Sequence, residues 1–216
     1  MYTKEQIYLM HDSLLLELKE SGNSIYNLFL KGYDSLKNNE IEKARNPFEK
    51  AFKSGQFISK SMIFYRENLV DINIEEDILY VSQILSLMNK TCHNLSLIYR
   101  KKEDKENEQY YLTQKSLCNT ETYLYFLMSN FLKVSEKLLT IMEAYRLDSG
   151  ITSIEEAIGY IKFIHYLIKT NRYEAYKNNI DMNILCRINI ETIDNYHDED
   201  LSLMYQIVKE KIDFTN

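Results

Sequence analysis

The chain has 216 residues, of which 45% are hydrophobic and 27% are charged, so it can bury a core and is too apolar for a disordered segment. Five glycines and one proline are too few for the many tight turns of a β-sandwich. The composition therefore predicts an all-α protein with short polar connections. A net charge of −6 disfavours a general nucleic-acid-binding protein, which normally carries a basic face.

The chain carries no sign of a membrane or secretory protein. No apolar run approaches the ~18 residues needed to span a bilayer, and residues 1–6 lack the start of a secretory signal. The three widely spaced cysteines, Cys92, Cys118 and Cys186, favour reduced, buried thiols. These features predict a cytoplasmic protein that does not associate with membranes.

Three helices are predicted in residues 1–55. The first carries an apolar stripe and is expected to end at Gly22, which suits a left-handed C-terminal position. The second is expected to start at Ser24 and to end in the polar stretch 37–39. The third is expected to run from Ile41 until Gly55.

The second and third of these helices resemble a tetratricopeptide repeat, which is a pair of antiparallel helices about 34 residues long. In that family a small residue of the first helix lets the second helix approach closely. The second helix supplies two small residues and an aromatic side chain to this contact. Gly32, Ala44, Phe48 and Ala51 keep the family's offsets. Pro47 departs from the pattern because it removes a helix hydrogen bond, and the segment also fits a plain αα-hairpin.

Residues 89–117 resemble the same unit more weakly, with Ser96 as the small residue. Stacked units form a right-handed superhelix in the family, and a compact helical bundle is the alternative. We expect residues 1–216 to form a single domain. In it, residues 25–52 are the best repeat-like unit and residues 120–216 form the C-terminal helices.

The longest apolar stripe predicts a central helix around which the chain packs. Its residues recur at spacings of three and four over about 32 Å. They are Ile78, Val81, Leu85, Met88, Cys92, Leu95 and Tyr99. The acidic residues 75–77 suit the first turn of this helix because they complement its dipole.

A second stripe with the same spacing covers residues 124–145. Residues 106–147 form either one helix or two helices that break at Asn119-Thr120, and we favour the break. A homodimer that pairs the long stripes as a coiled coil is an open alternative.

The remaining residues contain two helix starts and one ambiguous segment. Thr152 and Glu155 form a capping-box pattern. Residues 180–190 alternate apolar and polar side chains like a strand and also fit a helix, which we favour because a lone strand would have no partner. A last helix is predicted to start at Asp198.

The sequence holds no pattern of catalytic or metal-ligating residues. It has no phosphate-binding glycine loop, no Cys-x-x-Cys and no Glu-x-x-His pair. The neighbours Cys92 and His93 point about 100° apart on a helix, so they do not form a thiolate–imidazole pair, and His165 fits a core histidine. We therefore expect no enzyme activity, no cofactor and no metal.

The resemblance implies a peptide-binding face lined by the first helices of the repeats. By register, seven residues lie on it: Tyr26, Phe29, Tyr33, Lys37, His93, Leu97 and Arg100. Phe29 and Tyr33 replace the lysine and asparagine that the family uses to clamp a C-terminal carboxylate, so an apolar or proline-containing ligand is expected. The sequence thus predicts a protein- or peptide-binding scaffold. The alternatives are a self-associating bundle with a structural or regulatory role and, third, a helical enzyme or small-molecule binder.

Overall fold

A computed structural model describes residues 4–68, 74–185, 193, 196 and 200–213. Over those residues the protein is helical and contains no β-strand, which confirms the predicted all-α class. The packing of the chain groups into two compact units, Met1–Cys118 and Asn119–Asn216, where we expected a single domain. The two units are described separately.

Unit 1 is built from long helices. Helix α1 spans Lys4–Lys37, α2 spans Ile41–Asn68 and α3 spans Ile74–Lys101. Helix α4 starts at Lys105 in unit 1 and ends at Phe131 in unit 2. Helix α2 packs against both α1 and α3, and α1 also contacts α3.

The predicted helix ends at Gly22 and Gly55 are wrong, because α1 and α2 continue through these glycines. Gly55 is buried, and a Cβ atom there would lie 2.7 Å from Cγ of Met88. This glycine therefore serves the packing of α2 on α3. Helix α2 also continues through Pro47. Helix α1 alone has 34 residues, about the length of a complete two-helix repeat.

The predicted helix end at residues 37–39 is confirmed. Asn39 adopts a left-handed conformation with φ 56°. The Glu40 amide donates to the Ser35 carbonyl at 2.8 Å, and the Asn39 amide donates to the Leu36 carbonyl at 3.0 Å. These two bonds form a Schellman motif, which satisfies carbonyls at the end of α1. Glu103, with φ 59°, occupies the same position after α3.

The predicted central helix is confirmed as α3. All seven residues of its stripe are buried. The acidic residues 75–77 lie in its first turn, as the dipole favours. Because the stripe is already covered within one chain, a coiled-coil dimer through it would require the chain to open.

Both predictions for residues 106–147 are wrong. Helix α4 runs without a break through Asn119 and Thr120, and it ends at Phe131. Both polar residues are buried, so their side chains take part in packing and do not cap a helix.

The actual break lies at residues 132–135, between α4 and helix α5, which spans Glu136–Ser149. Lys133 has φ 53°, and the following Val134 amide donates to the Ser129 carbonyl at 3.3 Å. A residue other than glycine thus takes the left-handed position of this turn, which the sequence pattern did not indicate.

Helix α6, which spans Ser153–Lys169, forms the centre of unit 2. The predicted capping box at its start is confirmed. The Glu155 amide donates to Thr152 Oγ1 at 3.3 Å, and the Thr152 amide donates to Glu155 Oε2 at 2.8 Å. Every residue from 157 to 167 is buried, so α6 is covered on all sides.

Short elements surround α6. They are helix α7, a 3₁₀ turn and helices α8 and α9, at Tyr173–Tyr176, Lys177–Asn179, Met182–Leu185 and Leu201–Asp213. Helices α7, α8 and α9 all contact α6. Within the ambiguous segment 180–190, residues 182–185 are helical, as favoured, whereas residues 186–190 lie outside the described residues. Asp198 also lies outside them.

Candidate binding surfaces

Four of the predicted peptide-binding residues form a ladder along one side of α1. They are Tyr26, Phe29, Tyr33 and Lys37, and their spacing of three and four residues brings them together on successive turns. The rings of Phe29 and Tyr33 are stacked with centroids 6.1 Å apart, and Lys37 Nζ lies 4.8 Å from the Tyr33 centroid. Tyr26 and Tyr33 are 52% and 41% exposed. We call these four residues the aromatic ladder.

The aromatic ladder is attached to the core through Phe48 of α2. The rings of Phe29 and Phe48 meet edge to face at 5.7 Å. A Cβ atom on Gly32 would lie 2.9 Å from three carbons of the Phe48 ring. Gly32 therefore lies in a close contact, but the three nearest atoms belong to this ring and not to the α2 backbone or to the two alanines of the predicted crossing, Ala44 and Ala51, which are both buried.

The other three predicted residues, His93, Leu97 and Arg100, lie on an exposed side of α3. Arg100 Nε is 2.6 Å from Glu108 Oε1, so its charge is already paired with α4. Partial burial, together with the cations of Lys115 and Arg100, lowers the pKa of His93. His93 is therefore neutral at physiological pH.

A cluster of rings joins α2, α3 and α4 within unit 1. Tyr99 stacks on Tyr111 at 5.5 Å, and Phe52 meets Tyr111 edge to face at 5.4 Å. Tyr99 Oη donates to Glu49 Oε1 at 2.5 Å. Sequence reasoning placed Tyr99 in the core stripe but missed this cluster, because its partners are distant in sequence.

Both phenols of this cluster stay protonated at physiological pH. Burial and the hydrogen bond to Glu49 raise the pKa of Tyr99 to about 12. Burial and the neighbouring Tyr99 raise the pKa of Tyr111 well above its usual range. The two tyrosines therefore act as packing groups and hydrogen-bond donors, and not as bases.

Cys92 and Cys118 are free, buried thiols, as the sequence predicted, while Cys186 lies outside the described residues. Burial, together with the neighbouring Cys118 thiol, raises the pKa of Cys92 well above its usual value. A protonated, buried thiol is a poor nucleophile. His93 is exposed while Cys92 is buried.

Unit 2 buries a polar seam between α4 and α6. Lys162 Nζ lies 2.8 Å from Glu121 Oε1, and their side chains are 8% and 9% exposed. Asn119 Nδ2 donates to Glu155 Oε2 at 3.0 Å. Sequence reasoning missed both contacts, although a lysine inside the apolar run of α6 was a signal, since lysine is almost never buried without a partner.

The buried polar groups of the described residues fall short of the requirements of a metal site. Among the described residues, no group of three or more His, Cys, Asp or Glu side chains is arranged to hold a metal ion. His165 is buried within α6, in agreement with a core histidine. None of the helices in the described ranges has both the length and the apolar character needed to cross a membrane.

Comparisons with protein-family models, with curated proteins and with solved structures gave no match for this chain. The structure defines the class, an all-α protein of long helices in unit 1 and a central buried helix in unit 2.

Proposed function

We propose that this protein is a helical scaffold that binds a protein or peptide partner through the aromatic ladder on α1. The observation that carries the proposal is the exposure of Tyr26 and Tyr33, 52% and 41%, on either side of the anchored Phe29 ring. Tyrosine is enriched among the residues that dominate binding energy, because a large ring is buried at a small cost in side-chain entropy.

The ladder suits a particular ligand chemistry. Its rings offer flat apolar surface along successive turns of α1, which favours apolar or proline-containing segments. Lys37 at the end of the ladder adds one cation close to the Tyr33 ring. In the tetratricopeptide-like arrangement that we propose, the exposed Leu97 and His93 of α3 extend the same surface.

The proposal assigns no catalytic role. Several ionisable groups of the described residues are held in structural states: Glu121 and Lys162 pair with each other, and Tyr99 is held protonated by burial and by Glu49. Such groups lack the accessible, reactive state that a general acid, base or nucleophile needs.

The test is a double substitution, Tyr26→Ala with Tyr33→Ala. Partners of the full chain are identified by affinity capture and quantitative mass spectrometry, and the best partner is purified and titrated by calorimetry. Loss of two hot-spot rings is expected to weaken binding by at least about tenfold. An unchanged affinity of that partner for the double variant would refute the proposal.

Two controls accompany this test. Leu147→Ala with Leu203→Ala removes two other exposed side chains, 67% and 60% exposed, in unit 2 and should leave the affinity unchanged. Phe29→Ala is unsuitable because Phe29 packs on Phe48 and its loss would destabilise α1. The melting temperature of the Tyr26/Tyr33 double variant should stay close to that of the wild type.

A second candidate function, self-association, is favoured by one observation on α1. Leu9 and Leu16 lie seven residues apart on one face of the helix and are 68% and 61% exposed. A second copy could cover both. Sedimentation velocity at several concentrations should then show a dimer that Leu9→Ser with Leu16→Ser abolishes, and a monomer at all concentrations would remove this candidate.

A further inference from the structure

Helix α2 carries a line of basic residues along its exposed side. Lys43, Lys50, Lys53 and Lys60 are separated by seven, three and seven residues, which keeps them on one face, and Phe57 lies between the last two. We call these five residues the lysine face. The line from Lys43 to Lys60 is about 26 Å long at the rise of an α-helix. The opposite side of α2 is buried in the core of unit 1.

The lysine face is a local excess of positive charge on a protein of net charge −6. Lys43 pairs with Glu40 at 2.7 Å. Among the residues that the structure describes, no carboxylate forms an ion pair with Lys50, Lys53 or Lys60.

Two carboxylates of α2 among the described side chains are engaged elsewhere. Glu42 pairs with Lys102, and Glu49 accepts the hydrogen bond of Tyr99. They are therefore turned to other neighbours and do not neutralise the lysine face.

Phe57 gives the lysine face an apolar contact point. Its ring is 63% exposed, although phenylalanine is usually among the most buried residue types. Lys53 and Lys60 lie four residues before and three residues after it, so two cations flank an exposed ring.

We propose that the lysine face docks an acidic segment of a protein partner, whose apolar side chain covers Phe57. The inference rests on the proposed scaffold function and adds that the bound segment of the partner is negatively charged. Complementary charges align a partner and speed its association. A helical segment with carboxylates at the spacing of the lysines would match the line along its length.

Two other polyanions fit the same surface less well. The net charge of −6 repels an extended nucleic acid or an anionic membrane beyond the immediate contact. Stable attachment to a membrane takes two signals, such as a dense basic cluster together with a lipid anchor, whereas the lysine face spreads four lysines over about 26 Å beside a single exposed ring. A short acidic segment contacts only the lysine face, so the local positive charge there is enough to attract it.

The experiment selects binders from a displayed library of random peptides with the full chain as bait. The variant Lys50→Glu with Lys53→Glu and Lys60→Glu reverses the lysine face. The matched control reverses three exposed lysines elsewhere, Lys101→Glu with Lys105→Glu and Lys209→Glu. Because reversal could disturb folding, circular dichroism is recorded, and the corresponding triple glutamine variant removes the charge without repulsion.

The proposal expects the wild type to enrich acidic peptides that contain an apolar residue. Their affinity should fall about tenfold in the reversed variant, should stay unchanged in the control, and should weaken as salt rises from about 0.05 to 0.5 M. Phe57→Ala should weaken the same peptides.

The contrary outcomes separate this inference from the proposed function. If the enriched peptides are uncharged and only the variant Tyr26→Ala with Tyr33→Ala loses their binding, the acidic-segment proposal is refuted and the proposed scaffold function stands. No enriched peptide at all would overturn both. Binding of a dT20 oligonucleotide or phosphatidylserine vesicles that depends on the lysine face, without acidic peptides, would overturn the acidic-segment assignment in favour of another polyanion.

Discussion

The two units bury polar groups in different ways. In unit 2, α4 and α6 enclose an ion pair, Glu121 with Lys162, whose side chains are both less than 10% exposed. In unit 1, the helices around Tyr99 are joined by rings, and the Glu49 carboxylate that meets Tyr99 is only half-buried. Removal of one partner therefore leaves a buried charge in unit 2 but not in unit 1.

The two units also differ in what their helical glycines contact. A Cβ atom on Gly159 of α6 would lie 2.8 Å from the Thr120 carbonyl oxygen, so two backbones meet there. For a Cβ atom on Gly32 of α1, the three nearest atoms all belong to the Phe48 ring. A side chain can turn away from an added methyl group, whereas a backbone carbonyl in the middle of α4 moves only with its helix. We therefore expect substitutions at the helix contacts of unit 2 to lower the free energy of unfolding more than comparable substitutions in unit 1.

The largest effect is expected for Lys162→Met. The substitution leaves the Glu121 carboxylate buried without its cation, and breaking a buried pair in this way costs about 3–5 kcal/mol of unfolding free energy. Denaturant unfolding followed by circular dichroism measures the loss. Adding Glu121→Leu should recover most of it, because an apolar pair of similar volume is often as stable as a buried ion pair.

The control for this prediction is Lys177→Met. Lys177 pairs with Glu174 at 2.9 Å, but their side chains are 40% and 60% exposed, so water screens the pair and its loss should cost little stability. Equal losses for the two lysines would contradict the contrast between buried and exposed pairs. So would a double variant that is no more stable than Lys162→Met alone.

The next effect compares Gly159→Ala with Gly32→Ala. We expect a loss of about 3 kcal/mol at Gly159 and about 1 kcal/mol at Gly32, the upper and lower ends of the usual cost of overpacking. Thermal unfolding of both variants measures the difference. Phe48→Leu should partly rescue Gly32→Ala because it removes the ring from the contact. A larger loss at Gly32 than at Gly159 would reverse the proposed order.

Tyr99→Phe tests the ring cluster of unit 1. At pH 7 the variant loses the hydrogen bond to the Glu49 carboxylate, which costs about 1.5 kcal/mol. The pKa of Tyr99 is raised to about 12 in the folded protein and is about 10 in the unfolded chain. The stabilisation is therefore complete below pH 10 and is lost as the pH rises through 12.

The measurement is the unfolding free energy of wild type and variant between pH 7 and pH 12. Their difference should be constant up to pH 10 and should shrink above it. Tyr110→Phe is the control, since Tyr110 is 43% exposed and lies in the same cluster. A difference that does not change with pH would show that the Tyr99 phenol is not held protonated by its surroundings.

Local patterns predicted the parts of the fold that depend on neighbouring residues. The stripe of α3, the capping box of Thr152 and Glu155, and the close contact at Gly32 all follow from spacing along one helix or one hairpin. The four residues of the aromatic ladder were predicted from the register of the repeat resemblance, and their spacing of three and four residues places them on one side of α1. The resemblance to a tetratricopeptide repeat stays a proposal.

The errors arose where a distant segment decides what a residue does. Gly55 looked like a helix stop, but it makes room for Met88 of α3. Asn119 looked like a helix break, but its amide donates to Glu155, 36 positions away in the sequence. Single-sequence propensities contain no information about such partners, so tertiary packing overrides them.

The smallest effect concerns four helix ends within the described ranges that place a residue other than glycine in the left-handed region: Asn39 and Glu103 in unit 1, and Lys133 and Asn171 in unit 2. For a residue with a long side chain this conformation costs about 1–2 kcal/mol, whereas asparagine tolerates it better. Glycine has no such cost, although it loses more backbone entropy on folding. Lys133→Gly and Glu103→Gly should therefore each stabilise the protein by up to about 1 kcal/mol, and Asn39→Gly and Asn171→Gly should change it by a few tenths. Thermal unfolding of the four variants measures these changes in stability in both units, at sites that lack a buried charge. If only one unit gains stability, interactions other than the backbone conformation must stabilise the turn of the other unit.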